Sequence, residues 1–297
     1  MSQVKRYQRP QTVQQACEAM LANPDAKLVA GGQSLLPTFR LGLALFDEII
    51  DLQGLSDASL NYIVRHLQHH TDRNIQHSTD MNLNRINEQQ LDTLTIGAMT
   101  THAQVAASAE VQAFSPMLTK LAGGIGDAQV RTMGTLGGSI ANHDPAACWP
   151  AGLLACGGFV SVSSSTQTRK IDIDDFFTGM FSTDLNADEM ITSVTFLKPL
   201  SATYLKFEQP ASRFALVGVA VAHHANHVKV AITGLGHGVM RWHAAEVALH
   251  QRFEADALKT INLDPDLACG DLHASAPYRT HIAKVLCQRA VNQHLSR

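Results

Sequence analysis

The sequence predicts an α+β protein in which two small α/β lobes are followed by a domain of strands and then helices. Helix and strand patterns alternate over residues 12–52, and three strand patterns precede the helical patterns beyond residue 200. Strands followed by helices are typical of an α+β domain. We expect a first domain over 1–199, with lobes of about 1–57 and 58–199, and a second over 200–297.

The first lobe begins with a helix. Thr12 and Gln15 have the spacing of a capping box, apolar residues recur at helical intervals, and Pro24 ends the pattern. A strand over 27–30 leads directly into the turn Gly31-Gly32-Gln33-Ser34. An apolar turn or helix over 35–41 and a strand over 48–52 complete a βαββ-type lobe. Open α/β sheets tend to bind ligands at such strand ends.

The second lobe is predicted from caps and alternation. A strand over 94–98 precedes a helix with the capping box Thr101–Gln104, and a second helix runs from Pro116 to Gly123. The glycine-rich stretch 126–145 then reads as a loop. Asp144-Pro145 predicts the N-cap and first residue of another helix. A hairpin over 159–163 and 169–173, a helical turn near 174–179 and a strand over 190–197 follow.

The second domain is predicted to contain a three-stranded antiparallel sheet and helices. Its strands are expected over 204–207, 215–222 and 228–235. Its helices are expected over 244–249, over 255–260 and from about Ser275 onward.

Residues 65–92 interrupt the second lobe with a polar, histidine-rich stretch containing His66, His69, His70 and His77. Imidazoles bind transition metals, so a metal site is one interpretation. No regularly spaced acidic or cysteine shell accompanies the histidines. We therefore favour an inserted polar surface loop and expect no metal.

Composition excludes several classes of function. The chain has 297 residues, a net charge of −3 and five cysteines without a C-x-x-C pair. Nothing suggests nucleic acid, an anionic membrane surface, a disulfide framework or an iron–sulfur site built from this chain alone. No segment approaches the roughly 18 apolar residues of a membrane span. We expect a soluble, cytoplasmic protein.

Two glycine-rich turns, at 30–34 and 135–139, each contain Gly-Gly followed within two positions by serine. Backbone N–H groups beside hydroxyls suit a diphosphate. Neither turn matches G-x-G-x-x-G or the P-loop, and either alone could be only a tight turn. As a pair they predict a clamp on a dinucleotide. Since G-x-S-x-G and H-E-x-x-H are absent, we expect no catalytic residues and assign any chemistry to the cofactor.

Five segments resemble one family. Residues 28–37, 96–102 and 126–145 resemble the signature segments of the FAD-binding subunit of molybdenum hydroxylases, of the carbon monoxide dehydrogenase medium-subunit and xanthine dehydrogenase type. Residues 206–219 and 271–279 resemble its C-terminal domain. The resemblance implies a two-lobed FAD-binding domain of the p-cresol methylhydroxylase (vanillyl-alcohol oxidase) type over 1–199, with FAD between the lobes, followed by an α+β domain.

The resemblance also implies cofactor-binding positions. Alternatives stay open for four of them: Thr101 and Asp144 are also helix caps, Leu185 is also a packing residue, and Lys206 is also a surface strand lysine. The implied FAD-binding residues are Val29, Ala30, Gly31, Gly32, Gln33, Ser34, Leu35, Thr100, Thr101, Gly134, Thr135, Gly137, Gly138, Ser139, Asp144, Leu185 and Lys206.

The resemblance further implies partners. A large subunit would hold the molybdopterin cofactor and a small one two [2Fe–2S] clusters, in a dimer of heterotrimers, with electrons passing through FAD to an external acceptor. The alternative is a stand-alone flavin-binding oxidoreductase. The sequence departs from the family in the insertion at 65–92, which lacks cysteine, and in Phe181 and Trp149, where relatives commonly have tyrosine.

Overall fold

The first lobe is a small parallel sheet flanked by two helices. The computed structural model describes residues 4–55, 60–67 and 92–295. Thr12 caps the first helix by accepting a hydrogen bond from the Gln15 N–H, and the sheet has the order β1-β3-β2. The elements are β1 Arg6–Gln8, α1 Val13–Ala22, β2 Lys27–Val29, α2 Leu35–Arg40 and β3 Glu48–Asp51, followed by a 3-10 turn at Leu52–Gly54.

The second lobe is built on a five-stranded antiparallel sheet of order β4-β5-β10-β6-β7. Its elements are β4 Ile63–Leu67, β5 Asp92–Gly97, α3 His102–Ala107, α4 Ala109–Phe114, α5 Pro116–Gly123, α6 Ala128–Met133, α7 Leu136–Asn142, α8 Cys148–Cys156, β6 Gly158–Ser163, β7 Thr168–Asp172, α9 Ile173–Phe176, β8 Phe177–Gly179, β9 Ser182–Thr183 and β10 Met190–Leu197.

The C-terminal domain is an antiparallel sheet of order β11-β12-β13-β14 covered by helices. Helix α8 of the second lobe is buried at every position and packs against β12 and β13, which joins the domains through a shared core. The elements are β11 Ser201–Glu208, β12 Ala215–His223, β13 Val228–Thr233, β14 Met240–Arg241, α10 His243–Gln251, 3-10 turns at Ala255–Leu258 and Pro265–Leu267, and α11 Ala276–Leu295.

The sheet of the C-terminal domain has four strands where three were predicted. The fourth, β14, pairs only Met240 and Arg241 with β13. Two residues are too few to show the alternation that predicts a strand. The segment predicted as a helix over 255–260 forms only a short 3-10 turn.

The prediction of a continuous loop over 126–145 was wrong. The stretch contains α6 and α7, whose first turns are capped by Asp127 and Thr135. Both helices are too short for a hydrophobic period to be recognised. Asp144 does not cap the next helix, because α8 begins at Cys148; its carboxylate instead accepts a hydrogen bond from the Ala146 N–H at 2.8 Å.

His66 lies on β4, whereas His69, His70 and His77 lie outside the described residues. In the part of the chain that is described, no three His, Cys, Asp or Glu side chains converge as a metal site would require. All five cysteines are free thiols. None of the described helices combines the length and apolar character needed to cross a membrane.

Candidate functional site

A cavity of about 750 Å³ lies where the two lobes meet the C-terminal domain. The first lobe contributes residues 27–35 to its wall, the second lobe contributes most of 125–148, and the C-terminal domain contributes 212–214. A volume of this size is ordinary for a cofactor site, for which roughly 300–1,000 Å³ is typical. The walls come from segments far apart in the chain, so the fold itself assembles the cavity.

The first glycine turn offers a row of backbone donors. The N–H groups of Gly31, Gly32, Gln33 and Ser34 have no acceptor within the described residues, and all four residues line the cavity. Gly32 has a φ of +67°, a conformation that residues with a side chain rarely adopt. Successive free N–H groups in a turn form an anion-binding concavity. This turn therefore suits an anionic ligand such as a diphosphate.

The second glycine turn differs from the first, because its donors are already used. The N–H groups of Leu136 and Gly137 donate to the carbonyls of Thr100 and Ala98. Those of Gly138 and Ser139 donate to the side chain and the carbonyl of Thr135. Only the Thr135 N–H in this turn lacks an acceptor among the described residues. The two turns therefore differ in their free donors, since helix capping uses most of the N–H groups of the second.

Neighbouring atoms leave no room for a side chain at three glycines of the two turns. A Cβ on Gly31 would lie 1.9 Å from the Met133 carbonyl oxygen, and one on Gly137 would lie 2.6 Å from the Ala98 Cβ. A Cβ on Gly138 would meet the Thr135 hydroxyl at 2.9 Å. The lobes therefore touch through these turns, and glycine permits that close approach.

Most of the predicted FAD-binding residues line this one cavity. Those that do are Val29, Ala30, Gly31, Gly32, Gln33, Ser34, Leu35, Gly134, Thr135, Gly137, Gly138, Ser139, Asp144 and Leu185.

Thr100 and Thr101 do not line the cavity. Thr101 caps α3 in a complete capping box with Gln104, and the carbonyl of Thr100 accepts from the Leu136 N–H. Thr101 also pairs with Thr135 in an isolated antiparallel bridge. Both threonines thus support the second glycine turn from behind.

Lys206 also stands behind the wall. Its Nζ donates to the carbonyls of Gly124 at 2.6 Å and Arg213 at 2.5 Å. The residue Ile125, which follows Gly124, and Arg213 itself line the cavity. The Lys206 side chain is only 9% exposed, so it is not the surface lysine of the alternative interpretation. It ties the C-terminal domain to the second lobe beside the cavity.

The loop that carries Leu185 is held by Arg169. The guanidinium donates to both carboxylate oxygens of Glu189 and to Asp184, at 2.7–2.9 Å. The hydrogen bond from Arg169 lowers the pKa of the Glu189 carboxyl, whose side chain is almost completely buried. Glu189 also lines the cavity, and this pairing compensates its negative charge there.

Several lining residues were not predicted from the sequence. His102 is 4% exposed, and its Nδ1 accepts a hydrogen bond from the buried Trp149 indole at 3.1 Å. Burial lowers the pKa of His102 to about 4, so its imidazole is neutral at pH 7. Arg213 and Phe214 lie in a segment that carries the family resemblance, which was the available signal for them. Phe181 is exposed and does not line the cavity.

Fold and cavity together define a two-lobed protein with a site for an anionic ligand of cofactor size, and comparison with known families identifies its class. Residues 2–71 and 59–196 match the FAD binding domain in molybdopterin dehydrogenase, and 202–294 match the CO dehydrogenase flavoprotein C-terminal domain. The chain therefore belongs to the FAD-binding medium subunits of the molybdenum hydroxylases. It is a subunit of a dehydrogenase-type oxidoreductase.

Individual relatives cover nearly the whole chain. The nicotine 6-hydroxylase medium subunit of Paenarthrobacter nicotinovorans is 31% identical over 96% of this chain and 95% of its own. The glyceraldehyde dehydrogenase medium chain of Sulfolobus acidocaldarius is 29% identical, with 97% of each covered. A solved structure of carbon monoxide dehydrogenase from Hydrogenophaga pseudoflava, lacking the Mo-pyranopterin moiety of the molybdenum cofactor, superposes with a TM-score of 0.81 at 28% identity, covering 98% and 97%. These likenesses confirm the predicted family and two-part fold.

Proposed function

We propose that the cavity binds FAD and that the chain carries electrons within a molybdenum hydroxylase complex. The observation that carries the proposal is the row of four N–H groups at Gly31–Ser34 that have no acceptor in the described part of the chain, inside a cavity of cofactor size. Unpaired backbone donors favour a ligand with several anionic oxygens, and a diphosphate has them. The residues present therefore fit the cofactor that the family binds.

Each part of the wall has a separate task in this proposal. The first glycine turn donates to the diphosphate, and the Thr135 N–H and Ser139 hydroxyl approach it from the second lobe. Asp144 lies on the same wall, and its carboxylate accepts from a ribose hydroxyl. Leu185 packs beside the flavin ring on the loop that Arg169 holds. Thr100, Thr101 and Lys206 act by positioning the walls.

Bound FAD would supply the redox chemistry, because it can accept electrons from one-electron donors and pass them on in pairs. The chain itself contributes binding, orientation and shielding from water. Its free cysteines are dispersed, and four of the five are buried. This supports the assignment of the [2Fe–2S] clusters to a small partner and of the molybdopterin to a large one, with two such heterotrimers forming a dimer. The relatives are likewise medium chains or subunits.

We also propose the domain division at residues 199 and 200. The two family matches end at 196 and begin at 202, which supports it.

The proposal is tested with the full chain expressed alone and together with its neighbouring genes. Alone, with FAD supplied during folding, it should show flavin absorbance at one FAD per chain. With its partners it should co-purify with molybdenum and iron. Absence of flavin would refute FAD binding, whereas flavin without molybdenum or iron would favour the stand-alone oxidoreductase.

A further inference from the structure

One polar group in the cavity wall, the imidazole of His102, has no contact with FAD in the proposed function. His102 is 96% buried, yet its Nε2 has no hydrogen-bond partner among the described residues. This nitrogen is not sealed inside the core, in contrast to Arg279 Nε, and His102 lines the cavity. A buried polar group without a partner costs free energy, so an unpaired one that faces a binding cavity points to a ligand.

The protonation of His102 follows from its neighbour. The Trp149 indole can only donate, and it donates to Nδ1 of His102 at 3.1 Å. Nδ1 must therefore be unprotonated, and the neutral imidazole carries its hydrogen on Nε2. Trp149 is fully buried, so water does not replace the hydrogen bond between its indole and His102. The cavity thus receives an uncharged N–H donor in a defined orientation.

The position of Nε2 indicates which part of a ligand it addresses. A Cβ on Gly134 would lie 2.9 Å from Nε2, and the Gly134 Cα lies 2.8 Å from the place of a Cβ on Gly31. Gly134 therefore lies against both His102 Nε2 and Gly31. The row of free N–H groups begins at Gly31, next to this contact. An anion held by the row would supply an acceptor on the side of the cavity that the imidazole occupies.

We infer that His102 is a FAD-binding residue that donates from Nε2 to the FAD diphosphate, with Trp149 as the positioning residue that holds its tautomer. The inference rests on the proposed binding of FAD in this cavity. It assigns a contact to a histidine in the second lobe, opposite the first glycine turn. The diphosphate would then be held from both lobes, although the second glycine turn has few free donors of its own.

The test compares His102→Leu with His102→Gln in the full chain, because a glutamine amide can place a donor near the position of Nε2. His224→Gln is a matched control: His224 is also a buried neutral histidine, with a pKa of about 4, but its Nε2 pairs with the Ala155 carbonyl away from the cavity. The dissociation constants of FAD and of ADP, which has the diphosphate without the flavin, are measured by titration. Thermal unfolding of the apoproteins reports folding.

Loss of a hydrogen bond to a charged group should weaken FAD binding of His102→Leu by roughly 10- to 100-fold. The binding of ADP to His102→Leu should weaken by a similar factor. His102→Gln should recover most of the affinity for both ligands, and His224→Gln should bind them like the wild type. Unchanged FAD affinity in His102→Leu would overturn the inference while leaving the proposed function intact. Weaker binding of FAD by His102→Leu with unchanged binding of ADP would show that His102 does not contact the diphosphate. Failure of the wild type to bind FAD would remove both proposals.

A second measurement does not depend on any variant folding. The nitrogen chemical shifts of His102 in isotope-labelled wild-type protein report its tautomer directly. At pH 7 the Nε2–H form is expected before and after FAD is added, with a change at Nε2 on binding. An Nδ1–H tautomer, or an Nε2 signal that FAD does not move, would overturn the inference.

Discussion

Single buried residues make this protein sensitive to pH. His102 and His224 both have a pKa of about 4, below the ordinary value of 6.5, chiefly because burial disfavours the charged imidazole. Between pH 4 and pH 6.5 these two histidines bind protons in the unfolded chain but not in the folded chain. The stability that they contribute is therefore complete above about pH 6.5 and is lost as the pH decreases towards 4.

The variant His224→Gln should isolate one of these contributions. A depression of this size corresponds to stabilisation on the order of 3 kcal/mol at neutral pH relative to pH 4. Denaturant unfolding gives the free energy of unfolding of the wild type and of the variant. The difference between them should be about 2 kcal/mol smaller at pH 5 than at pH 7. The contributions of the carboxylates to the pH dependence cancel in this comparison, because both proteins contain them. A gap independent of pH would show that His224 titrates normally in the folded protein.

The variant Gly32→Ala should separate backbone strain from ligand binding. Gly32 has a φ of +67° and Gly42 a φ of +73°, but only Gly32 lines the cavity. Gly42→Ala should lower the free energy of unfolding by about 1–2 kcal/mol, the cost of a left-handed residue with a side chain. Gly32→Ala should cost somewhat more, because a Cβ there would also lie 2.8 Å from the Leu36 Cδ1. FAD titration should then show weaker binding in Gly32→Ala alone. Equal FAD affinity in the two variants would contradict a binding role for this turn.

At the scale of elements, two helix caps of the same kind lie in different surroundings. Thr12 and Thr135 each accept the N–H three residues onward, at 3.2 and 3.1 Å. Replacing either with alanine should cost about 1 kcal/mol of stability, measured by denaturant unfolding. Only Thr135→Ala should also weaken FAD binding, because Thr135 orders the second glycine turn. If Thr12→Ala weakened FAD binding to the same extent, general destabilisation would explain the loss of affinity in both variants.

The elements also differ in how far the sequence could predict them. Helix α1 and strands β10 to β13 carry caps or alternation over enough residues to be recognised. Helices α6 and α7 do not, because six or seven residues are too few to show a helical period, and α7 also contains two glycines. The candidate site divides similarly. Glycines and hydroxyls near turns were predicted. His102 was not, because its ring is held by a hydrogen bond from Trp149, 47 residues further on, and no local pattern predicts such a contact.

At the scale of the whole molecule, Lys206 connects the domains beside the cavity. Lys206→Met should leave the carbonyls of Gly124 and Arg213 without their donor, destabilise the chain by about 1–3 kcal/mol and weaken FAD binding. Lys198 provides the comparison, since it pairs with Asp92 nearer the surface and outside the cavity wall. Lys198→Met should cost at most about 1 kcal/mol and leave FAD titration unchanged. Equal effects of the two variants on FAD affinity would contradict this positioning role.

The spread of the cavity walls along the chain has a consequence for the timing of biosynthesis. The first glycine turn is translated early, whereas the wall at 212–214 is translated about 180 residues later, or roughly 10–35 s at ordinary elongation rates. During that interval a nascent chain has the turn of Gly31 and Gly32 without its closing wall. A binding site that needs this wall is therefore complete only late in the synthesis of each molecule, so a nascent chain shorter than about 214 residues cannot yet enclose a ligand there.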